Sequence, residues 1–338
     1  MTQQRRSSSS RKLTAGVIGL GSMGTSHARV YSEIDGVELA AVADVSPERL
    51  LGHGDAHGYE DYRQMLAEES LDIVSVCVPT LLHQEVAMAA IERGVALLVE
   101  KPLAATIEEG RALALAARDA NVALMVGHVE RFNPAVLEMK RRLAADEIGR
   151  VFQVQARRTG PFPRRVRDVG VVHDLAPHDI DIMRFLLESE VERVYAETES
   201  GVRTEREDTL AGVLRFANGV IGLLDVNWLT PVKVRQLSVL GERGLLVADY
   251  LAQEVRLYRN DEAGAPMKQA SEQLPVEKRE PLRVELESFV EAVRRGMQPA
   301  VSAEEGLAAL AVAEALAESG KKHLPVGLVF EEEEGLAE

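Results

Sequence analysis

An apolar run, Leu13–Ile18, passes directly into Gly19-Leu20-Gly21-Ser22-Met23-Gly24 and then into a stretch compatible with a helix. Nothing else in the chain restricts its fold as tightly. Gly19 permits a tight turn, Gly21 removes a Cβ so that backbone can approach a pyrophosphate, and Gly24 lets helix and strand pack closely. The N–H groups around Ser22 and Met23 then point, with the positive end of the helix dipole, at phosphate oxygens. A glycine pattern of this kind is weak alone. Here it follows a strand, opens a helix, and is followed about 20 positions on by Asp44, at the end of the next apolar run. A carboxylate there accepts hydrogen bonds from ribose hydroxyls and repels a 2′-phosphate, so NAD is expected in preference to NADP.

The pattern around the fingerprint extends the argument. Apolar runs at Leu13–Ile18, Val37–Ala43, Ile73–Val78, Ala96–Val99 and Ala123–Val126 alternate with helix-like stretches such as Leu82–Arg93 and Ile107–Ala120. Continuous apolar strands between helices imply a parallel sheet covered on both faces, an α/β doubly wound arrangement. After Val151 strand-like segments follow one another: Phe152–Arg158, Arg193–Glu199, Thr209–Phe216, Val220–Asn227, Arg235–Leu240, Gly244–Asp249 and Glu254–Tyr258. Asn218-Gly219 between two of them signals a hairpin. One helix, Ala176–Leu187, comes before most of these strands. The second domain is therefore expected to be α+β with an open, mainly antiparallel sheet. We place the parts at residues 1–11 (a disordered tail), 12–134, 135–330 and 331–338 (an acidic tail). The closing helices near Leu282–Arg295 and Ala303–Ser319 are free to pack on either domain.

Composition narrows the function. The net charge of −15 opposes binding to nucleic acid or to an anionic membrane surface. One cysteine, Cys77, excludes an internal disulfide, and its apolar neighbours make it a buried strand residue. The basic, serine-rich N-terminus lacks an apolar core, and no apolar stretch approaches membrane-spanning length. A cytoplasmic location is expected.

Polar groups stand where a doubly wound sheet presents ligands, beyond the carboxyl ends of its strands. Pro79, Thr80 and His83 follow one strand, and Glu100-Lys101-Pro102 ends the next. Gly127-His128 ends the fifth and leads to Arg131 and Asn133. The second domain adds His173-Asp174-Leu175-Ala176-Pro177-His178. Glu100-Lys101-Pro102 matches the E-K-P motif, and Asp174 to His178 the D-x-x-x-H motif, of the Gfo/Idh/MocA sugar and inositol dehydrogenases, which the chain resembles over nearly its whole length. The resemblance implies a Rossmann domain joined to an open antiparallel sheet often used for oligomerisation, here a homodimer or homotetramer. It also implies that Lys101, Asp174 and His178 are catalytic.

The chemistry of those residue types agrees. Oxidising an alcohol requires a base within hydrogen-bond reach of the hydroxyl, and histidine titrates near neutrality. Asp174 lies four residues before His178, which on a helical turn puts both on one face. Lys101 stabilises the developing alkoxide, or serves as the base itself if burial neutralises it. The expectation is that Lys101 converges with the Asp174–His178 pair on the reactive face of bound NAD. Gly19, Gly21, Ser22, Met23, Gly24, Asp44, Pro79, Thr80, His83 and Glu100 are assigned to the cofactor; Lys101, His128, Arg131, Asn133, Arg164, Arg165, Asp174 and His178 to the substrate. Asp179 and Asp181 read as helix-surface or domain-contact residues, and no metal is expected.

The segment from Arg157 to Arg167 is basic within an acidic chain, and arginine forks match phosphate. An anionic substrate such as a nucleotide-diphosphate sugar is one reading; a solvated charge run is the other. The segments Gly127–Pro134, Gly160–Pro163 and Asn227–Pro231 resemble the family branch containing UDP-N-acetylglucosamine 3-dehydrogenases, which implies oxidation of a sugar 3-hydroxyl. An inositol, free-sugar or sugar-phosphate dehydrogenase of the same family is the alternative, and a non-catalytic NAD-binding regulator the alternative of another class. Trp228 suits a pocket wall and a core equally well.

Overall fold

The computed structural model describes residues 11–162, 169–260 and 266–328. The chain divides into two units. One comprises the residues up to Gly127 together with Glu285–Ala303; the other comprises His128–Val284 and the residues from Glu304 onward.

In the first unit the chain alternates β1 (Leu13–Ile18), α1 (Ser22–Glu33), β2 (Val37–Ala43), β3 (His57–Tyr59), α2 (Tyr62–Glu68), β4 (Ile73–Val76), α3 (His83–Glu92), β5 (Ala96–Glu100), α4 (Ile107–Asp119) and β6 (Leu124–Gly127). The six strands form one parallel sheet in the order β3-β2-β1-β4-β5-β6. Every residue of β4, β5 and β6 is buried, the pattern of strands covered on both faces. Order reverses beside β1, so the crevice beyond the carboxyl ends of β1 and β4 is the switch point where such sheets bind ligands. The helices begin where side chains supply caps. Asp61 accepts from the N–H of Arg63 at the start of α2, and Thr106 from that of Glu109 at the start of α4.

The second unit contains α5 (Pro134–Ala144), β7 (Val151–Pro161), α6 (Val171–Asp174), α7 (Ala176–Leu187), β8 (Val191–Ser200), β9 (Glu207–Phe216), β10 (Ile221–Asn227), β11 (Leu229–Gly241), β12 (Gly244–Asp249), β13 (Glu254–Asn260) and β14 (Pro266–Leu274). Then come α8 (Pro281–Arg295), which crosses the unit boundary, α9 (Ala303–Lys322) and β15 (Val326–Gly327). Nine strands form a mixed, mainly antiparallel sheet in the order β14-β13-β12-β11-β7-β10-β9-β8-β15, with β7 and β10 parallel. Strict alternation of buried and exposed residues along β9 leaves one sheet face against the core and the other open. The core face packs Leu210, Leu214, Phe216 and Val226 with Ile180 and Met183 of α7. Gly219, at φ +86°, makes the hairpin turn between β9 and β10.

One detail departs from expectation, and another decides between two readings. Asp174 and His178 do not share one helix: α6 ends at Asp174, Leu175 is the junction, and α7 begins at Ala176. Pro177 lacks the N–H that a continuous helix would bond to the carbonyl of His173, so the ladder breaks there. Trp228 belongs to the core. It is 1% exposed, donates from Nε1 to Asp208 at 2.7 Å, and meets Phe162 edge-on at 5.3 Å. Among the described residues no helix is long and apolar enough to cross a membrane.

Candidate active site

The three glycines Gly19, Gly21 and Gly24, at the turn from β1 into α1, do three different jobs. Gly19 stands at φ +89°, where a Cβ would lie 2.7 Å from the carbonyl oxygen of Cys77, so turn and close packing both demand glycine. At Gly24 a Cβ would come within 1.7 Å of the carbonyl oxygen of Gly19, which fixes the close approach of α1 to β1. At Gly21 a Cβ would meet nothing within 4 Å. That space, at the N-cap of α1 and without a side-chain cap, leaves room for an anion such as a pyrophosphate to approach the N–H groups that begin at Ser22 and Met23. Asp44 is 8% exposed; its carboxylate accepts from the N–H of Leu20 at 2.7 Å and of Ser46 at 2.9 Å, with Arg49 at 3.4 Å. These bonds tie the carboxylate to the glycine turn and leave acceptor positions for ribose hydroxyls. In Asp44→Ala the Kd for NAD is expected to rise about 10-fold, since a hydrogen bond to a charged group is worth about 1.5–3 kcal/mol, and the preference for NAD over NADP to fall. Fluorescence titration with both cofactors measures it; unchanged affinity and preference would remove the assignment.

Past β4, Pro79 and Thr80 begin a short 3-10 turn, and His83 opens α3. His83 is buried and both ring nitrogens face carbonyls, Pro102 O at 2.8 Å and Val78 O at 3.0 Å. Burial pulls its pKa below the ordinary value. The ring therefore ties the loop after β4 to the loop carrying Lys101 and Pro102, and its expected part in cofactor binding reduces to shaping those loops. Glu100 closes β5 at 8% exposure, and Lys101, partly exposed, follows it.

Glu100 has a support that the sequence reading missed. Its Oε1 lies 3.0 Å from Nε2 of His27 on α1, whose Nδ1 lies 2.9 Å from Ser75 Oγ on β4, which in turn lies 2.9 Å from the Tyr31 hydroxyl. Burial drives the Tyr31 phenol upward, so it stays neutral. The carboxylate of Glu285 completes the group, with its ligating atom and those of His27 and Glu100 all within 4.8 Å of one another. Among the described residues this is the grouping whose donor atoms are close enough to share a cation. Both imidazole nitrogens are already hydrogen-bonded, however, and the cluster serves as a buried brace for Glu100. Its signal in the sequence was His27, one turn beyond Gly24 on the inner face of α1.

In the second unit the structure corrects two substrate assignments. Arg131 is 4% exposed and gripped on both sides. Its Nε donates to Asp181 at 3.0 Å, its Nη2 bonds the other oxygen of Asp181, and its Nη1 donates to Glu305 at 2.8 Å. A guanidinium held this way locks the 3-10 turn Val129–Phe132 to α7 and α9. Asn133, 2% exposed, caps α5 by accepting from the N–H of Ala135, and donates to the Tyr250 carbonyl at 3.2 Å. Asp179 and Asp181, expected at a helix surface or a domain contact, are 1% and 0% exposed, so the surface alternative falls: α7 is enclosed on nearly every side. Asp179 accepts a two-pronged bond from Arg158 at 2.6 and 3.0 Å, with Glu130 on the same guanidinium at 3.1 Å. These carboxylates hold Arg158 firmly charged against the cost of its burial.

His178 is the exception in the first part of α7. From Ala176 to Arg184 every residue is buried except His178, which is partly exposed, as is Asp174 just before the helix. His128, which precedes the 3-10 turn, is buried, and His173 pairs with Glu314 at 3.0 Å. Arg164 and Arg165 lie outside the described residues.

The model of the oxidoreductase family with an NAD-binding Rossmann fold matches residues 13–128, and that of the GFO/IDH/MocA C-terminal domain matches residues 136–247. The chain is 30% identical over 311 residues to a myo-inositol 2-dehydrogenase of Thermotoga maritima, covering 87% of this chain and 92% of that one. It is 28% identical over 286 residues to a UDP-N-acetylglucosamine 3-dehydrogenase of Acidithiobacillus ferrooxidans, covering 83% and 88%. A solved structure of a UDP-N-acetylglucosamine 3-dehydrogenase from the same organism superposes with a TM-score of 0.83 at 27% identity, covering 92% of this chain and 98% of that one.

Proposed function

This chain belongs to the Gfo/Idh/MocA family of NAD-dependent oxidoreductases acting on CH–OH groups, and on that premise we propose that it oxidises a secondary hydroxyl of a UDP-N-acetylhexosamine, at the sugar 3-position. One observation supports the catalytic part: between Ala176 and Arg184 of α7 the partly exposed residue is His178, with Asp174 partly exposed just before the helix. A non-catalytic regulator has no use for such a pair in a chain that also carries a lysine in the E-K-P position.

In this reading the carbinol loses a proton from oxygen and a hydride from carbon, and a ketone remains. The turn at Gly19, Gly21 and Gly24, the first N–H groups of α1 and the carboxylate of Asp44 would hold NAD, which when bound would supply the hydride acceptor. His178 takes the hydroxyl proton on its imidazole, and Asp174 stabilises the imidazolium that results. The Lys101 ammonium donates to the substrate oxygen as negative charge develops there. The brace of His27, Ser75 and Tyr31 keeps Glu100 in place at the end of β5, immediately before that lysine.

The nucleotide-sugar assignment draws on the segments Gly127–Pro134, Gly160–Pro163 and Asn227–Pro231 and on the relative that acts on UDP-N-acetylglucosamine. A second reading, an inositol dehydrogenase, is favoured by the 30% identity to the myo-inositol enzyme. Measuring NADH formation with UDP-N-acetylglucosamine, myo-inositol and glucose 6-phosphate separates them. We expect kcat/KM for UDP-N-acetylglucosamine to exceed the others by at least about 100-fold, as two charge-assisted contacts would give. Faster turnover of myo-inositol would overturn the substrate assignment.

A further inference from the structure

The second unit holds two arginines side by side that are treated very differently. Arg158 on β7 and Arg235 on β11 are direct cross-strand partners and face the same way. The first has taken both nearby carboxylates, Asp179 through two bonds and Glu130 through one. The second is half-buried and donates from one nitrogen, Nη1, to two backbone carbonyls, Thr159 at 2.7 Å and Val234 at 2.8 Å. Among the described residues its Nε and Nη2 have no acceptor. The carbonyls fix the guanidinium plane while leaving the side of the fork that matches an anion unused.

Two adjacent cations in a partly desolvated place repel each other. Burial, and then Arg158, pull the pKa of Arg235 below its ordinary value, against the opposing pull of Asp179, Glu130 and Asp174. Geometry locates the pair: Arg158, the cross-strand partner of Arg235, holds Asp179, the residue after His178 in the first turn of α7. A fold has no stability reason to keep an arginine so placed. A ligand that brings its own negative charge would relieve the repulsion and complete the fork.

We propose that Arg235 is a substrate-reading residue that receives an anionic group, a carboxylate or a phosphate borne by the sugar, near the start of α7. This rests on the function proposed above and adds to it the reason why a charged sugar is selected over a neutral polyol. It also shifts that role from the basic segment Arg157–Arg167, on which the sequence reading placed it, to a residue on a different strand.

The test is equilibrium binding by calorimetry to the full-length, NAD-saturated protein, using matched pairs that differ in charge: D-glucuronate against D-glucose, and UDP-N-acetylglucosamine against N-acetylglucosamine. The wild-type protein should prefer the anionic member of at least one pair, and Arg235→Gln should lower that preference ratio about 10- to 100-fold, with Arg235→Lys keeping part of it. A change in the first pair identifies a carboxylate, and a change in the second a diphosphate. If neither ratio moves by more than about twofold in a variant that melts normally and binds NAD normally, the proposal is wrong. Because the readout is binding, a protein that shows the charge preference yet oxidises none of these sugars would sink the proposed function and leave the Arg235 assignment standing. Turnover of the nucleotide sugar with an unmoved ratio would do the reverse.

Discussion

Lys101→Ala is expected to lower kcat by about 10²- to 10⁴-fold, the range spanned by losing a positioned proton donor or a charge aimed at a developing alkoxide. The Kd for NAD should change little, because Lys101 is not among the residues assigned to the cofactor, whose phosphate and ribose contacts belong to the glycine turn, α1 and Asp44. Stability should also hold, since Lys101 is partly exposed and lies outside the strand proper. Pairing it with His178→Ala makes the prediction sharper. Residues that act on one proton transfer are not additive, so the double variant should be barely slower than the worse single one. Stopped-flow measurement of NADH formation, with cofactor affinity measured separately, gives both numbers. Full turnover in Lys101→Ala would remove the mechanism. Strictly additive losses would mean that Lys101 and His178 serve different steps.

How much of this was legible beforehand follows the physics of each signal. Local steric demands show directly in residue type, so the distinct roles of Gly19, Gly21 and Gly24 were readable and each has a matching geometry. Periodicity reports burial, so five of the six parallel strands and the helix Ala176–Leu187 were placed to within a few residues, while the short or exposed strands β3, β14 and β15 and the first half of β11 left no such pattern. Pairing between distant side chains leaves no such mark. Arg131 and Asn133 looked like ligands because they follow a strand end, but only the fold shows that Asp181, Glu305 and the start of α5 have claimed them. His27 and Glu285 are separated by most of the chain, and their meeting beside Glu100 is a tertiary fact. The break between α6 and α7 was the exception: Pro177 announced it, and the reading of Asp174 and His178 as one helical turn overlooked that proline.

The enclosed charges of the second unit give the other large effect. Asp179→Ala leaves the guanidinium of Arg158, 3% exposed, with Glu130 as its remaining carboxylate. Stripping one partner from a buried pair costs about 3–5 kcal/mol, because the other charge stays desolvated. Urea unfolding followed by far-ultraviolet circular dichroism should show that loss. Replacing both members by apolar residues, Arg158→Met with Asp179→Leu, should return most of it, since the desolvation penalty disappears along with the attraction. Activity should not return to the same degree. Asp179 is the residue after His178 at the start of α7, and the two-pronged bond to β7 sets where that first turn sits. An apolar contact fills the same space but specifies direction less sharply, and a misplacement of about 1 Å can cost up to about 100-fold in rate. The expected double variant is therefore nearly as stable as the wild type and at least about tenfold slower in kcat, with NAD affinity unchanged. Recovery of both stability and rate would show that the pair places nothing. Failure to recover stability would show that the ion pair itself outweighs its desolvation, and the account of α7 as a helix held for position by buried charge would be wrong.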